Sequence, residues 1–158
     1  MNTPKIWHGD QMLKASVPVA IVVSRFNELI TKELLHGAQD SLIAAGIAPA
    51  DIQILWVPGA MEIPVALKAL TMQKKYKGIV ALSCVIKGDT DHYDYVCSAL
   101  ERGVSHLSVE SATPIAFGVL TTENLDQALQ RIGGKSGHKG REAAQALVEM
   151  ISLFAKIH

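Results

Sequence analysis

The sequence predicts an α/β protein with a four-stranded parallel sheet covered by helices on both faces. Short apolar runs rich in β-branched residues, such as 78–86, alternate with longer segments in which apolar residues recur every three or four positions. Such runs suit strands buried on both faces, and right-handed crossovers then give a three-layer α/β/α arrangement. The 158 residues, 49% of them hydrophobic, are enough for one domain with a sizeable core.

The N-terminal segment differs from the rest of the chain. Residues 1–16 show no sustained periodicity, so they have little reason to pack within their own subunit. Ile6 and Trp7 indicate an arm that docks elsewhere, on a neighbouring subunit. We therefore divide the chain into an N-terminal arm, 1–16, and a single α/β domain, 17–158.

The first β-α unit begins with a strand at 17–23. Asn27 is predicted to cap the following helix through its side chain, and Gly46 is placed to end it. Between them, apolar residues recur every four positions: Ile30, Leu34, Ala38 and Leu42.

Two further units follow. A strand at 52–57 leads to a helix starting near Glu62, with Pro64 in its first turn, where a missing N–H costs nothing. The run 78–86 is the third strand, and the next helix extends from about Tyr93 to Val109.

The last unit contains a fourth strand at 115–120. A short helix starts at Thr122 and ends near Ile132, and a glycine-rich loop occupies 133–140. The final helix runs from about Arg141 to the chain end. In parallel sheets ligands bind at the carboxyl ends of the strands, so the polar segments after the strands converge on one edge.

Charge and cysteine content exclude several classes of function. Fifteen basic and fifteen acidic side chains cancel, so no broad field favours nucleic acid or an anionic membrane. Cys84 and Cys97 lack the spacing of a metal or redox motif and are interpreted as free thiols. There is no signal-peptide core and no membrane-length apolar run, which favours a cytoplasmic protein.

The junction after the third strand is the strongest candidate for chemistry. Gly88 relaxes the backbone, and the helix that follows adds the partial positive charge of its N-terminus, which together outline an anion pocket. His92 stands beside it and can exchange a proton near neutral pH. An ordinary β-to-α loop, with Thr90 or Asp91 as helix cap and a surface histidine, fits this stretch equally well.

Other motifs are weaker. Lys135 and Ser136 follow two glycines, but the nucleotide phosphate-loop pattern would need glycine at Leu129 and a preceding strand. Arg131 is well shaped for bidentate phosphate contact, with solvated surface cations as the alternative. Phe26 suits either stacking on a planar ligand or core packing.

A metal site formed by the acidic residues around His92 is disfavoured. Asp89, Asp91 and Asp94 are close in sequence, but no second histidine stands at ligand spacing. Charge compensation in a first helical turn explains these carboxylates without a metal.

Five segments carry a resemblance to a known family. They are Val-Val-Ser-Arg-Phe-Asn-Glu (22–28), Trp-Val-Pro-Gly-Ala-Met-Glu-Ile-Pro (56–64), Val-Ile-Lys-Gly-Asp-Thr-Asp-His-Tyr-Asp-Tyr-Val-Cys (85–97), Phe-Gly-Val-Leu-Thr-Thr-Glu-Asn (117–124) and Gly-Gly-Lys-Ser-Gly-His-Lys-Gly (133–140). Their order and content resemble the 6,7-dimethyl-8-ribityllumazine synthase family of riboflavin biosynthesis, over nearly the whole chain beyond the arm.

The resemblance implies a flavodoxin-like three-layer fold with an extra strand from the arm. It also implies condensation of 5-amino-6-(D-ribitylamino)uracil with 3,4-dihydroxy-2-butanone 4-phosphate, losing phosphate and water, without metal or redox cofactor. The family assembles as pentamers, in some members stacked into decamers or built into sixty-subunit shells. The short 133–140 loop favours a shell weakly.

The resemblance further implies a role for each matching residue. Phe26 would stack on the pyrimidine, while Asn27 and the stretch from Ala60 to Glu62 would receive the ribityl chain. His92 would move protons, Lys139 would assist electrostatically, and Phe117 would reach the pocket from the neighbouring subunit. Gly88, Asp89 and Thr90 would hold the phosphate with Arg131. The remaining substrate-binding positions are Gly59, Val85, Ile86 and Lys87.

Three positions depart from the common family pattern. Met61 replaces phenylalanine, Lys87 replaces arginine, and His138 replaces asparagine in a way that could make its loop pH-sensitive.

There are two rival functions. A non-catalytic lumazine- or flavin-binding protein would keep the pocket without turnover. A flavodoxin-like electron carrier is disfavoured because the first loop lacks a hydroxyl-rich phosphate-binding character.

Overall fold

The centre of the molecule is a four-stranded parallel sheet in the order β2-β1-β3-β4. The structure is a computed structural model, and it describes residues 3–157. The predicted four-stranded parallel sheet is confirmed, and the second and third strands have the predicted bounds. The strands are β1 (Val19–Ser24), β2 (Ile52–Val57), β3 (Gly78–Ile86) and β4 (Ile115–Thr122).

Helices cover both faces of this sheet. The first and last helices pack on one face and the second and third on the other, which confirms the three-layer prediction. Short 3₁₀ turns lie at Pro49–Asp51 and Ala60–Glu62. The helices are α1 (Glu28–Ala44), α2 (Ile63–Met72), α3 (His92–Ser111), α4 (Leu125–Leu129) and α5 (Lys139–Ile157).

Strand β3 shows why the strands of this sheet have continuous apolar sequences. Its alternate residues Val80 and Leu82 face α1 and α5, whereas Ile79 and Ala81 face α2 and α3. All four are fully buried. Burying each such valine, leucine or isoleucine contributes about 1.5–3 kcal/mol, so both faces of the strand hold the layers together.

Two predicted helix starts were wrong in detail. Asn27 precedes α1, but it has φ 59° and makes no side-chain cap; its amide reaches β3 instead. The short helix starts after Asn124, whose side-chain oxygen accepts from the amide of Gln127 at 2.9 Å, because Thr122 still belongs to β4. Pro64 does lie in the first turn of α2, as predicted.

The predicted glycine-rich loop contains regular structure. An antiparallel hairpin, β5 (Ile132–Gly134) with β6 (Gly137–His138), replaces it, and α5 begins at Lys139, earlier than predicted. Gly133 and Gly137 have φ of 113° and 86°, a backbone region that favours glycine. The glycines therefore form a tight hairpin where the sequence pattern indicated an open loop.

The N-terminal segment contacts its own chain from His8, whose carbonyl accepts a hydrogen bond from Lys156 Nζ at 2.8 Å. The Asp10 amide donates to Ser152 Oγ at 2.9 Å, the Asp10 carboxylate pairs with Lys156 at 2.9 Å, and the Leu13 amide donates to the Ala45 carbonyl at 2.9 Å. This differs from the expectation of little packing within one subunit. Residues 3–18 contain no strand, so the arm strand is not formed within the single chain.

Residues 1, 2 and 158, which the predicted arm and last helix include, lie outside the described residues. None of the helices described between residues 3 and 157 is long and apolar enough to cross a membrane.

Candidate active site

A cavity of about 370 Å³ opens at the carboxyl edge of the sheet. It is formed by the segments after β1 and β2, the end of β3 and the start of α3, where the sequence placed the site. Of the predicted residues, the following line it: Phe26, Gly59, Ala60, Met61, Glu62, Val85, Ile86, Gly88, Thr90 and His92.

Phe26 stands at the mouth of the cavity. Its side chain is 72% exposed, which excludes the alternative of core packing. The backbone beneath it is held by two bonds that extend the β1–β2 ladder: the Arg25 amide donates to the Val57 carbonyl at 2.8 Å, and the Phe26 amide to the Pro58 carbonyl at 3.1 Å. An exposed ring on a fixed backbone is suited to stacking on a planar ligand.

Asn27 joins two sides of the site. Its Nδ2 donates to the Cys84 carbonyl at 2.8 Å, which ties the β1 loop to the end of β3. Asparagine tolerates the left-handed backbone of this position better than most residues. Asn27 does not itself line the cavity; its side chain instead connects the loop that carries Phe26 to β3.

The 3₁₀ turn after β2 forms one wall. Its first residue, Ala60, is buried, whereas Met61 is 52% exposed. Gly59 lies so close to the Glu62 carboxylate that a Cβ at position 59 would be 3.1 Å from Oε2. This wall therefore combines an apolar side chain with a carboxylate at the cavity edge.

The junction after β3 forms the opposite wall. A Cβ at Gly88 would meet nothing within 4 Å, so free space adjoins the cavity there. Asp91 makes no side-chain cap to α3, and the first amides of such a helix lack intrahelical partners. Their partial positive charge favours an anion. Lys87 and Asp89 are exposed but do not line the cavity.

His92 is the first residue of α3, and its exposed side chain lines the cavity. An imidazole in this position can exchange protons with a bound molecule and with solvent. Among residues 3–157, no group of three or more His, Cys, Asp or Glu side chains is arranged to hold a metal ion.

The sequence analysis missed three residues that line the cavity: Cys84, Tyr93 and Val96. Tyr93 and Val96 follow His92 on the cavity side of α3, and helical spacing from His92 was the signal that could have found Val96. Burial raises the pKa of the Tyr93 phenol, while a hydrogen bond with Thr121 acts in the opposite direction. Burial raises the pKa of the Cys84 thiol to about 11, so this thiol is protonated and unreactive at neutral pH.

Arg131 and Lys139 line a second cavity of about 270 Å³. Its other lining residues include Thr122, Ser136 and Glu142, so it lies between β4 and the start of α5. The Lys139 amide donates to the Arg131 carbonyl at 2.8 Å, which places the two cationic residues side by side. Within one chain the structure does not bring them into the cavity that contains His92.

Phe117 is also separated from the His92 cavity. It pairs with Ala81, whereas Thr122 pairs with Ile86 at the carboxyl edge, so Phe117 lies five residues upstream of that edge. At about 3.3 Å per residue this is roughly 16 Å along the strand. Its side chain is 38% exposed on the edge strand β4, where it is available to another molecule.

Comparison with known proteins identifies the family. The model of the 6,7-dimethyl-8-ribityllumazine synthase family matches residues 16–155. The chain belongs to this family. A 6,7-dimethyl-8-ribityllumazine synthase of Leuconostoc mesenteroides is 53% identical over 139 residues, which are 88% of this chain and 89% of that protein. These matches confirm the predicted lumazine synthase family and its enzyme class, a transferase of riboflavin biosynthesis, over the rival electron carrier.

Proposed function

We propose that this chain condenses 5-amino-6-(D-ribitylamino)uracil with 3,4-dihydroxy-2-butanone 4-phosphate to give 6,7-dimethyl-8-ribityllumazine, phosphate and water. The observation that carries the proposal is the single cavity in which an exposed aromatic ring, Phe26, a helix N-terminus and a histidine, His92, come together. This condensation requires a surface that binds a planar heterocycle, a site that binds an anion and a group that carries protons.

The aminouracil occupies the side of the cavity next to Phe26. The phenyl ring stacks on the pyrimidine, and Val85 and Ile86 supply apolar contact at the end of β3. The ribityl chain extends along Ala60 to Glu62, where the Glu62 carboxylate accepts hydrogen bonds from hydroxyl groups. Gly59 allows that carboxylate to approach closely, and Met61 supplies apolar volume where the family commonly has an aromatic ring.

The butanone phosphate lies at the junction after β3. Gly88, Asp89 and Thr90 offer backbone amides beside the start of α3, and Lys87 adds positive charge nearby. Among the described residues that line this cavity, however, none is a lysine or an arginine. A phosphate dianion excluded from water needs a cationic partner, so that partner comes from outside this wall of the site.

A neighbouring subunit supplies that partner. Arg131 and Lys139 line their own cavity near the edge strand β4, and Phe117 is exposed on the same strand. A heterologous ring brings this edge of one copy against the His92 cavity of the next. In that arrangement Arg131 holds the phosphate, Lys139 stabilises developing negative charge, and Phe117 closes the pocket.

The chemistry requires little covalent assistance. The 5-amino group attacks the ketone, water leaves to form an imine, phosphate is eliminated, and the ring closes with loss of water. Holding the two reactants in register supplies most of the acceleration. His92 transfers protons during imine formation and elimination, worth about 10²–10⁴-fold. Arg131 and the fixed amides stabilise the departing phosphate.

The assembly is a homo-oligomer, either a pentamer or a larger particle built from pentamers, in the cytoplasm. Ile6 and Trp7 support this because they are 70% and 43% exposed in the single chain, an unusual state for large apolar side chains. Tyr95 and Val109 on α3 are likewise 75% and 84% exposed. In the arm, the stretch around Ile6 and Trp7, which precedes the own-chain contacts beginning at His8, docks on a neighbour and covers such surface.

The direct test mixes the purified protein with both substrates and follows lumazine fluorescence. Turnover no faster than in buffer would refute the enzyme proposal and favour a non-catalytic binding protein. His92→Ala should slow turnover with little change in affinity for the aminouracil, whereas Arg131→Ala should chiefly raise KM for the phosphate substrate. Equal effects of both variants on both parameters would contradict the assigned roles.

A further inference from the structure

The two cationic residues of the second cavity stand at the ends of one small hairpin. Arg131 precedes β5 and Lys139 follows β6, and the Lys139 amide donates to the Arg131 carbonyl at 2.8 Å. Any movement of the hairpin relative to the sheet therefore displaces both side chains together.

His138, at the end of this hairpin, is seated against α1. Its ring lies over the buried Gly37, where a Cβ would come within 2.6 Å of both imidazole nitrogens. Real Cβ atoms do not approach so closely, so the ring occupies the space that glycine leaves open. Its cross-strand partner Ile132 packs on the core next to α1 and α5. These two side chains attach the hairpin to the body of the protein.

His138 also occupies the cap position of α5. Its Nδ1 accepts a long hydrogen bond, 3.4 Å, from the Arg141 amide three residues ahead, which is the spacing of an N-terminal cap. Only an unprotonated Nδ1 can accept this bond. An imidazolium would lose the acceptor and would place a positive charge at the positive end of the helix.

We propose that His138 is a positioning residue: its neutral ring, seated over Gly37 and capping α5, holds the hairpin that presents Arg131 and Lys139, and its protonation loosens that hold. The proposal rests on the phosphate-binding and electrostatic roles assigned to these two residues under the proposed function. It adds a pH-dependent control of affinity for the phosphorylated substrate.

Burial of the ring, with the nearby Arg141 cation, favours its neutral state. Burial lowers the pKa of His138, and the nearby Arg141 cation lowers it further, while a hydrogen bond to the backbone of His138 itself and the carboxylates of Glu33 on α1 and Glu142 on α5 act in the opposite direction. The other ionisable side chains of these elements are His36 and Asp40, within one turn of Gly37 on α1, and Arg131, Lys135 and Lys139 in and beside the hairpin.

The direction of the pH dependence follows from linkage. Histidine in an unfolded chain has a pKa of about 6.5, and the folded value of His138 is lower. The neutral ring is therefore fully in place above about pH 6.5, and its stabilising contribution is lost as the pH falls from there through the folded pKa. KM for the butanone phosphate should rise over this acid range.

The test compares the assembled wild-type enzyme with His138→Asn and His138→Leu between about pH 5 and pH 8. Asparagine places Oδ1 near the position of Nδ1 and does not titrate. Near pH 7.5, H138N should keep KM for the butanone phosphate within about twofold of wild type, whereas H138L should raise it about fivefold. Toward pH 5.5 the wild-type KM should rise several-fold more than that of H138N, with KM for the aminouracil equal in all three.

A wild-type acid profile that H138N reproduces would overturn the proposal, because a group other than His138, such as the substrate phosphate, would then explain it. Gly37→Ala is the second variant: by displacing the ring it should raise KM for the phosphate substrate at neutral pH, and no change would also overturn the proposal. If Arg131→Ala leaves that KM unchanged, the proposed phosphate role of Arg131 has failed instead.

Discussion

The separation of His92 from Arg131 within one chain leads to a mixing experiment. If the active site is shared between subunits, a His92→Ala subunit still carries an intact Arg131 side, and an Arg131→Ala subunit still carries an intact His92 side. Dissociating the two variants and reassembling them together should therefore restore complete sites at some subunit contacts. Neither variant forms a complete site on its own.

The expected recovery of activity follows from the probability that both halves of a shared site are intact. In a random one-to-one assembly, a given site draws an intact His92 half with probability one half and an intact Arg131 half with probability one half, so roughly a quarter of the sites are wild type. Loss of His92 alone lowers turnover about 10²–10⁴-fold. Loss of Arg131 weakens phosphate binding about 10- to 100-fold, since a hydrogen bond to a charged group contributes about 1.5–3 kcal/mol.

The assay is lumazine fluorescence at subsaturating butanone phosphate, before and after joint reassembly. Recovery to roughly a quarter of the wild-type rate supports the shared site. A rate equal to the mean of the two variants would show that His92 and Arg131 act within one chain. Reassembly of His92→Ala with Phe26→Ala is the matched control: both changes lie in the same cavity, so their mixture should recover nothing.

Two further predictions concern stability and thiol reactivity. Gly140→Ala should destabilise the fold by about 1–3 kcal/mol in urea unfolding, because its Cβ would collide with a backbone carbonyl of α1, whereas Gly88→Ala, which faces open space, should stay within about 0.5 kcal/mol of wild type; equal midpoints would refute this assignment of packing. Cys84, whose pKa is raised to about 11, should resist alkylation near pH 8 until the protein is denatured, as followed by mass spectrometry; labelling of the native protein at the rate of a free thiol would contradict its burial.

The layered fold was predictable because parallel strands buried on both faces leave a distinct sequence. The strands Ile52–Val57 and Gly78–Ile86 have the predicted bounds, since apolar runs there are interrupted sharply by Pro58 and by Lys87. The prediction of helix boundaries failed where the same residue type occurs in two backbone conformations. Asparagine is a residue type common at helix caps, yet Asn27 has a left-handed backbone and its side-chain amide donates to a carbonyl of β3.

The cavity was predictable from topology and only partly from composition. Segments that follow parallel strands meet at one edge, which brought Phe26, the turn after Gly59 and His92 together as expected. Tyr93 was missed because an aromatic residue in a helix is usually interpreted as core. The sequence also did not reveal that Arg131 lines a different cavity from His92. A motif does not specify on which side of an edge strand the hairpin that follows it will pack.

The hydrogen bonds beneath Phe26 have a consequence for substrate capture. The amides of Arg25 and Phe26 and the side chain of Asn27 fasten this loop before any ligand arrives. Within this loop, capture of the heterocycle therefore restricts little more than the two side-chain torsions of one phenyl group, so the conformational entropy that the loop loses on binding stays small. The encounter can proceed at the pace of diffusion and docking, without waiting for a disordered segment to fold around the ligand.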